Sequence, residues 1–181
     1  MERYRLTQDG TEYALVLHEL ERWDGTMIAE LGALDLLTYS EPTFSRYTLG
    51  GFLRHGRVFT VTADDILVGA CHCLRDFADP DEVVIFNMAL RPGWRGHGLG
   101  TRFLAGILER LAARGTRSVR LLVNAANARA IAVYQAKFGF ELVAHLDDPY
   151  SAGQPYLEMR LDMAAHTDRA VTVSAVDHAA S

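Results

Sequence analysis

Three features of this 181-residue sequence predict an α/β fold of the α+β class: an almost wholly apolar run, a glycine-rich turn that opens a helix-period repeat, and an upstream hairpin pattern. Val83 to Leu90 (V-V-I-F-N-M-A-L) reads as a central strand buried on both faces, with Asn87 the one polar interruption. Pro92 and Gly93 end it, and Gly96-His97-Gly98-Leu99-Gly100 follows. Leu99, Phe103, Leu104, Ile107, Leu108 and Leu111 then recur at helical spacing until Arg114-Gly115 stops the helix. Val58 to Thr62, the turn Ala63-Asp64-Asp65 and Ile66 to Leu74 form the hairpin pattern.

The other elements follow in chain order. Tyr13 to Leu17 is a short strand region. Met27, Ile28, Leu31, Leu34 and Leu37 predict a helix from about Trp23 to Leu37, broken by Ser40, Glu41 and Pro42. A shorter helix covers Ser45 to Arg54, and Asp76 to Glu82 is an acidic loop. After the glycine-turn helix, Val119 to Val123 is a second buried strand. Asn127 caps a helix to about Lys137, ended by Gly139. Phe140 to His145 and Tyr156 to Leu161 are two last strands around the polar loop Leu146 to Pro155. Residues 1–163 make one domain, and 164–181, poor in large apolar residues, a loose extension.

The net charge of −5 excludes a protein whose whole surface binds nucleic acid. The average conceals an asymmetry. Arg91, Arg95, Arg102, Arg110, Arg114, Arg117 and Arg120 stand against the single acid Glu109 between positions 91 and 120, a local +6 that leaves −11 for the rest. The first ten residues lack the apolar core of a secretory signal, and no apolar run reaches the roughly 20 residues of a membrane helix. Cys71 and Cys73, two apart on one strand, point side by side and do not suit a disulfide. A soluble cytoplasmic protein is expected. His72 between them faces the opposite way, so Cys71-His72-Cys73 reads as core thiols, and no metal site is expected.

The glycine turn is the candidate anion site. A helix N-terminus offers unpaired N–H groups and about half a positive charge, and glycines let an anion approach the backbone closely. A P-loop fails for want of its lysine, and G-x-G-x-x-G started at Gly96 ends on Thr101. R-x-x-G-x-G fits as Arg95-Gly96-His97-Gly98-Leu99-Gly100, with a ligand-free strand-to-helix turn as the alternative.

The sequence here resembles the GNAT superfamily of N-acetyltransferases over about residues 83 to 161. Two blocks carry the resemblance: the strand through Met88-Ala89-Leu90 and Pro92 into R-x-x-G-x-G, and Asn127, Ala130, Tyr134 and Phe138-Gly139-Phe140 as N-x-x-A-x-x-x-Y-x-x-x-G-F. It implies a mixed, mostly antiparallel sheet with splayed central strands, two helices before them and two after. It also implies acetyl-CoA as cosubstrate. The backbone of Met88, Ala89 and Leu90 would pair with pantetheine, Arg95, Gly96, His97, Gly98, Leu99, Gly100 and Thr101 would surround the pyrophosphate, and Asn127 would bond the pantetheine or thioester region as well as cap its helix.

Tyr134 takes the position of the proton donor to the departing thiolate, since a phenol stays protonated near neutrality. No cysteine lies in either block, so transfer is direct, in a ternary complex. Some members place a glutamate base at the position of Val84, and others, ribosomal-protein alanine acetyltransferases among them, at that of Leu122; both are apolar here. Glu82, on the strand face of Val84, is the first candidate base, with His72, Asp76, His145, Glu158 or a water chain as alternatives. Trp23 and Trp94 pack, although Trp23 lies in the helix region that borders the acceptor site in this family. Asp76, Asp79, Asp81, Glu82, Asp147 and Asp148 suit a cationic acceptor: a small-molecule amine or a peptide N-terminus. No nucleic-acid or membrane partner is expected, and the protein is a monomer or homodimer. A non-catalytic acyl-CoA-binding or sensing domain is the rival reading, and a nucleotide-binding domain the third.

Overall fold

The computed structural model describes residues 2–8, 10–39, 44–150 and 153–167. The helix break at Ser40, Glu41 and Pro42 and most of the extension, from 168 onward, lie outside the described residues; 163–167 form a helical turn. Among the described residues, eight strands make one sheet in the order β1-β2-β3-β4-β5-β6-β8-β7. The chain divides into two compact units, Met1–Leu74 with Ile85–Arg110, and Arg75–Val84 with Leu111–Ser181.

The first unit opens with the antiparallel strands β1 (Glu2–Gln8) and β2 (Thr11–Glu19). The sequence pattern had put no strand in the first ten residues. Half-buried Tyr4 and buried Leu6 alternate there with exposed Arg5 and Thr7, so alternation was present but only two apolar residues long. Helix α1 (Gly25–Thr38) starts at Asp24, whose carboxylate accepts from Thr26 N at 2.9 Å and Met27 N at 3.0 Å. Helix α2 (Arg46–His55) is capped by Ser45, which accepts from Thr48 N at 3.1 Å. Strands β3 (Arg57–Ala63) and β4 (Ile66–Arg75) form the expected hairpin, with both turn residues left-handed, Asp64 at φ 44° and Asp65 at φ 67°, as a two-residue hairpin turn requires. Strand β5 (Glu82–Leu90) leads through a 3-10 turn at Pro92–Trp94 to helix α3 (Leu99–Ala112). One core of this unit gathers Leu31, Leu34, Leu49, Phe52, Val58, Ala70 and Ala89. β5 is not buried throughout: Phe86 is exposed, and Val84, Asn87 and Met88 are half-buried.

His72 on β4 is 3% exposed, with its ring 4.9 Å from that of Phe44 and 5.2 Å from that of Phe52. Neither ring nitrogen has a partner among the described residues, and burial pushes its pKa down to about 4. An unfolded histidine titrates near 6.5, so between pH 6.5 and about 4 the unfolded chain binds the extra proton and stability falls as pH falls. His72→Phe is therefore expected to gain about 3 kcal/mol relative to wild type between pH 7 and pH 4 in urea unfolding. A constant difference across that range would refute the assignment.

In the second unit, β6 (Ser118–Asn124) pairs antiparallel with β8 (Tyr156–Asp162), and β8 with β7 (Glu141–Leu146). β7 lies at the end of the strand order and is largely exposed. Helix α4 (Ala128–Val133) passes into a π-helical turn, Tyr134–Phe138, closed by Gly139 at φ 84°. The expected continuous α-helix to Lys137 is thus replaced, past Val133, by the wider turn. Its extra residue changes the direction of the side chains that follow, and Phe138 and Phe140 are both buried while Tyr134 stays half-buried.

Candidate active site

In the first unit the candidate ligand residues follow one another along β5, the turn and α3. Gly96 and Gly98 take φ of 96° and 79°, conformations that a side chain disfavours. A Cβ built on Gly98 meets nothing within 4 Å, so the space beside the turn is open, whereas one on Gly100 would approach Leu90 Cδ1 to 3.2 Å. Arg102 N donates to Gly98 O at 3.1 Å and opens the α3 ladder, which leaves the preceding amides at the positive end of a 14-residue helix. His97 is exposed in the turn, Thr101 half-buried, and Leu99 points into the core at 0% exposure, so Leu99 offers a ligand its backbone alone. Arg95 Nε donates to Leu90 O at 3.0 Å and Arg102 Nη1 to Arg5 O at 3.1 Å. Beside this run, Tyr39 OH at the C-cap of α1 donates to Asn87 Oδ1 at 2.6 Å.

The second unit carries Asn127, Tyr134 and a charged cluster. Asn127 accepts from Ala130 N at 3.2 Å through its side chain, and its own N–H donates to Asn124 O at 2.9 Å. Tyr134 stands where α4 becomes π-helical, its ring 5.6 Å from that of Phe140. Glu82 is 2% exposed, and both its oxygens are taken: Oε1 by Arg120 Nε at 2.7 Å, and Oε2 by Arg160 Nε at 2.6 Å and Ser118 Oγ at 2.9 Å. Burial alone would raise its pKa, but the hydrogen bonds from Arg160, Arg120 and Ser118 outweigh that and lower it. Arg120 also donates from Nη1 to Glu158 Oε1 at 2.9 Å, and the bonds to Glu158 and Glu82 raise its own pKa.

The pairing of Arg120 with Glu82 was not read from the sequence. The period-2 run Glu158, Arg160, Asp162 was the available signal, because Arg120 and Arg160 are direct cross-strand partners. These contacts also divide the arginines of residues 91–120 among different protein partners. Arg117 pairs with Asp81, Arg120 with Glu82 and Glu158, and Arg110 Nη1 donates to Gly106 O at 2.8 Å. Asn124 Nδ2 reaches Gln154 Oε1, and Tyr150 lies edge-on to Tyr156 at 5.1 Å.

Among the remaining candidate bases, Asp76 accepts from Ala78 N at 2.7 Å and Asp79 N at 3.1 Å and so shapes its own loop. His145 is exposed on β7, opposite Leu157. Cys71 and Cys73 are buried free thiols, with sulfurs 3.7 Å apart. Among the described residues, no group of three or more His, Cys, Asp or Glu side chains is placed to hold a metal ion, and no helix is long and apolar enough to cross a membrane.

Residues 18–140, more than half of the chain, match the model of the acetyltransferase (GNAT) family. The chain belongs to the GNAT family. The [Ribosomal protein bS18]-alanine N-acetyltransferases of Escherichia coli K12 and Salmonella typhimurium are each 39% identical to this GNAT protein over 56 residues, a stretch that makes up 31% of this chain and 38% of each relative. The fold is similar to that of the crystallised E. coli ribosomal-protein-S18-alanine N-acetyltransferase, with a TM-score of 0.72 at 22% identity over 82% of this chain and 94% of the other. It is equally similar to a chain of a NatC complex bound to Gag peptide and CoA, with a TM-score of 0.72 at 18% identity over 82% of this chain and 98% of that one.

Proposed function

We propose that this GNAT protein is an acetyl-CoA-dependent N-acetyltransferase that moves the acetyl group directly to a primary amine, with a peptide N-terminus favoured over a small-molecule amine. The observation that carries the reading is the R-x-x-G-x-G turn, left-handed at Gly96 and Gly98, at the N-terminus of α3 and open beside Gly98. The 39% identity to alanine N-acetyltransferases over 56 residues supports a peptide acceptor.

In this reading the amides from Gly96 to Thr101 hold the pyrophosphate, with Arg95 and His97 at its edge. Met88 and Ala89 offer backbone groups to the pantetheine arm, Leu90 sharing its carbonyl with Arg95. Asn127 bonds the thioester region, and Tyr134 gives its phenolic proton to the departing sulfur. Glu82, the first candidate base from sequence, serves instead as a structural anchor. Both oxygens are engaged and its affinity for a proton is lowered, the opposite of what a proton acceptor needs. A cytoplasmic location is part of the reading and agrees with the two free cysteines.

Thermal melting with acetyl-CoA, ATP and NAD, followed by thiol release with an alanine-initiated peptide and a panel of small amines, tests the proposal. Acetyl-CoA is expected to stabilise most, and Gly98→Val to weaken its binding by about tenfold or more, because a side chain disfavours φ 79° and intrudes on the open space. A wild type that binds acetyl-CoA yet acetylates no amine would establish the non-catalytic binder instead. Stronger protection by ATP or NAD would point to a nucleotide-binding domain.

A further inference from the structure

We infer that Glu158 on β8 is the general base, a step that rests on the acetyltransferase reading. Three observations meet at this residue. First, its carboxylate is anchored at one oxygen only: Oε1 accepts from Arg120 Nη1 at 2.9 Å, while Oε2 has no hydrogen-bond partner among the described residues, and the side chain is 20% exposed. A carboxylate fixed by one oxygen and open at the other is oriented and still able to accept a proton. Glu82, by contrast, has both oxygens occupied.

Second, the cation that anchors it is shared. Arg120 is shared with Glu82, which also takes Arg160. Directly across from Glu158 stand Leu122 on β6 and Ala144 on β7, neither of them titratable. The charged groups around it are Arg120 on β6, Arg160 on its own strand, Glu141 on β7, which pairs with Arg160, and, through the two arginines, Glu82 on β5.

Third, the register places Glu158 beside the residues of the second block. Asn124 pairs with Tyr156, and Leu122 with Glu158, so Glu158 stands one same-face step, about 7 Å, from the pair that opens the turn into Asn127 and α4. Leu122 occupies the position at which the resemblance leads one to expect a glutamate. Glu158, its cross-strand partner, presents a carboxylate on the same face, with Cβ atoms of such partners about 5 Å apart.

In the reaction Glu158 Oε2 takes one proton from the acceptor ammonium, directly or through water. The freed nitrogen forms the N–C bond to the acetyl carbon and the C–S bond breaks. The sulfur receives the proton of Tyr134, and the proton shed by the new amide nitrogen returns to the Tyr134 oxygen. The proton on Glu158 then leaves to solvent.

Glu158→Gln keeps the Arg120 contact, because an amide oxygen accepts it. The variant is expected to lose about 100-fold in kcat/KM at neutral pH and to lose the acid limb of the kcat/KM profile. Its melting temperature should stay within about 3 °C of wild type and its acetyl-CoA affinity within about threefold. Adding Leu122→Glu to Glu158→Gln, which moves the carboxylate to the cross-strand neighbour, should recover about tenfold and restore the acid limb. If Glu158→Gln does not fold, Glu158→Asp decides the matter: it retains the charge, draws the carboxylate back by one methylene, and should cost about tenfold in kcat with the acid limb retained. Retention of more than about a third of wild-type kcat/KM in Glu158→Gln, or in Glu158→Asp where that variant decides, overturns the inference, as does an acid limb that survives Glu158→Gln. In those cases wild-type turnover leaves the acetyltransferase reading standing. A wild type that binds acetyl-CoA and acetylates nothing removes both.

Discussion

Tyr134→Phe is expected to lower kcat by about 100-fold or more, with acetyl-CoA affinity nearly unchanged. The substitution removes one oxygen and keeps the ring, so the contact with Phe140 at 5.6 Å and the π-helical turn both survive. In the proposed mechanism what is lost is the proton for the leaving sulfur, a group needed only as the C–S bond breaks, so the loss falls on kcat rather than on binding. Steady-state kinetics with a peptide amine, together with a titration of acetyl-CoA binding, separates the two. A variant within about threefold of wild-type kcat would return Tyr134 to a packing role.

Glu82→Gln is expected to destabilise the protein by about 3 kcal/mol at neutral pH. It leaves Arg120 and Arg160 facing a neutral amide and removes the charge that organises Ser118 and both guanidinium groups. The pH dependence follows from the lowered pKa. The stabilisation is fully present above the unfolded glutamate value, about 4.3, and is lost as pH falls through the lower folded value, so wild type and variant should converge in strong acid. Urea unfolding at neutral pH and near pH 3 reads this directly. The anchor role also predicts that, where it remains folded, Glu82→Gln keeps the acid limb of the kcat/KM profile. Loss of that limb at unchanged stability would make Glu82 the base and displace Glu158.

Most of the fold was legible because its signals are local. The helix periods of α1 and α3, the cap at Asn127 and the Asp64-Asp65 hairpin are set by residues a few positions apart. Strand β1 was not legible. A seven-residue strand at the end of the strand order needs few buried side chains, so its alternation is short. The π-helical turn at Tyr134 escaped for another reason: nothing in N-x-x-A-x-x-x-Y-x-x-x-G-F distinguishes an i+4 from an i+5 hydrogen bond.

The same division runs through the candidate site. The glycine turn, the helix it opens and the order of the two blocks are contiguous in the chain, so the resemblance to the family, the candidate anion turn and the candidate position of Tyr134 were legible in the sequence. The state of each carboxylate was decided only in three dimensions. Glu82 and Glu158 look alike in the sequence, yet Arg120 and Arg160 close both oxygens of the first, while the second keeps one open. Their partners lie 38 and 78 residues away along the chain, and strand register, which no local pattern encodes, brings those charges together.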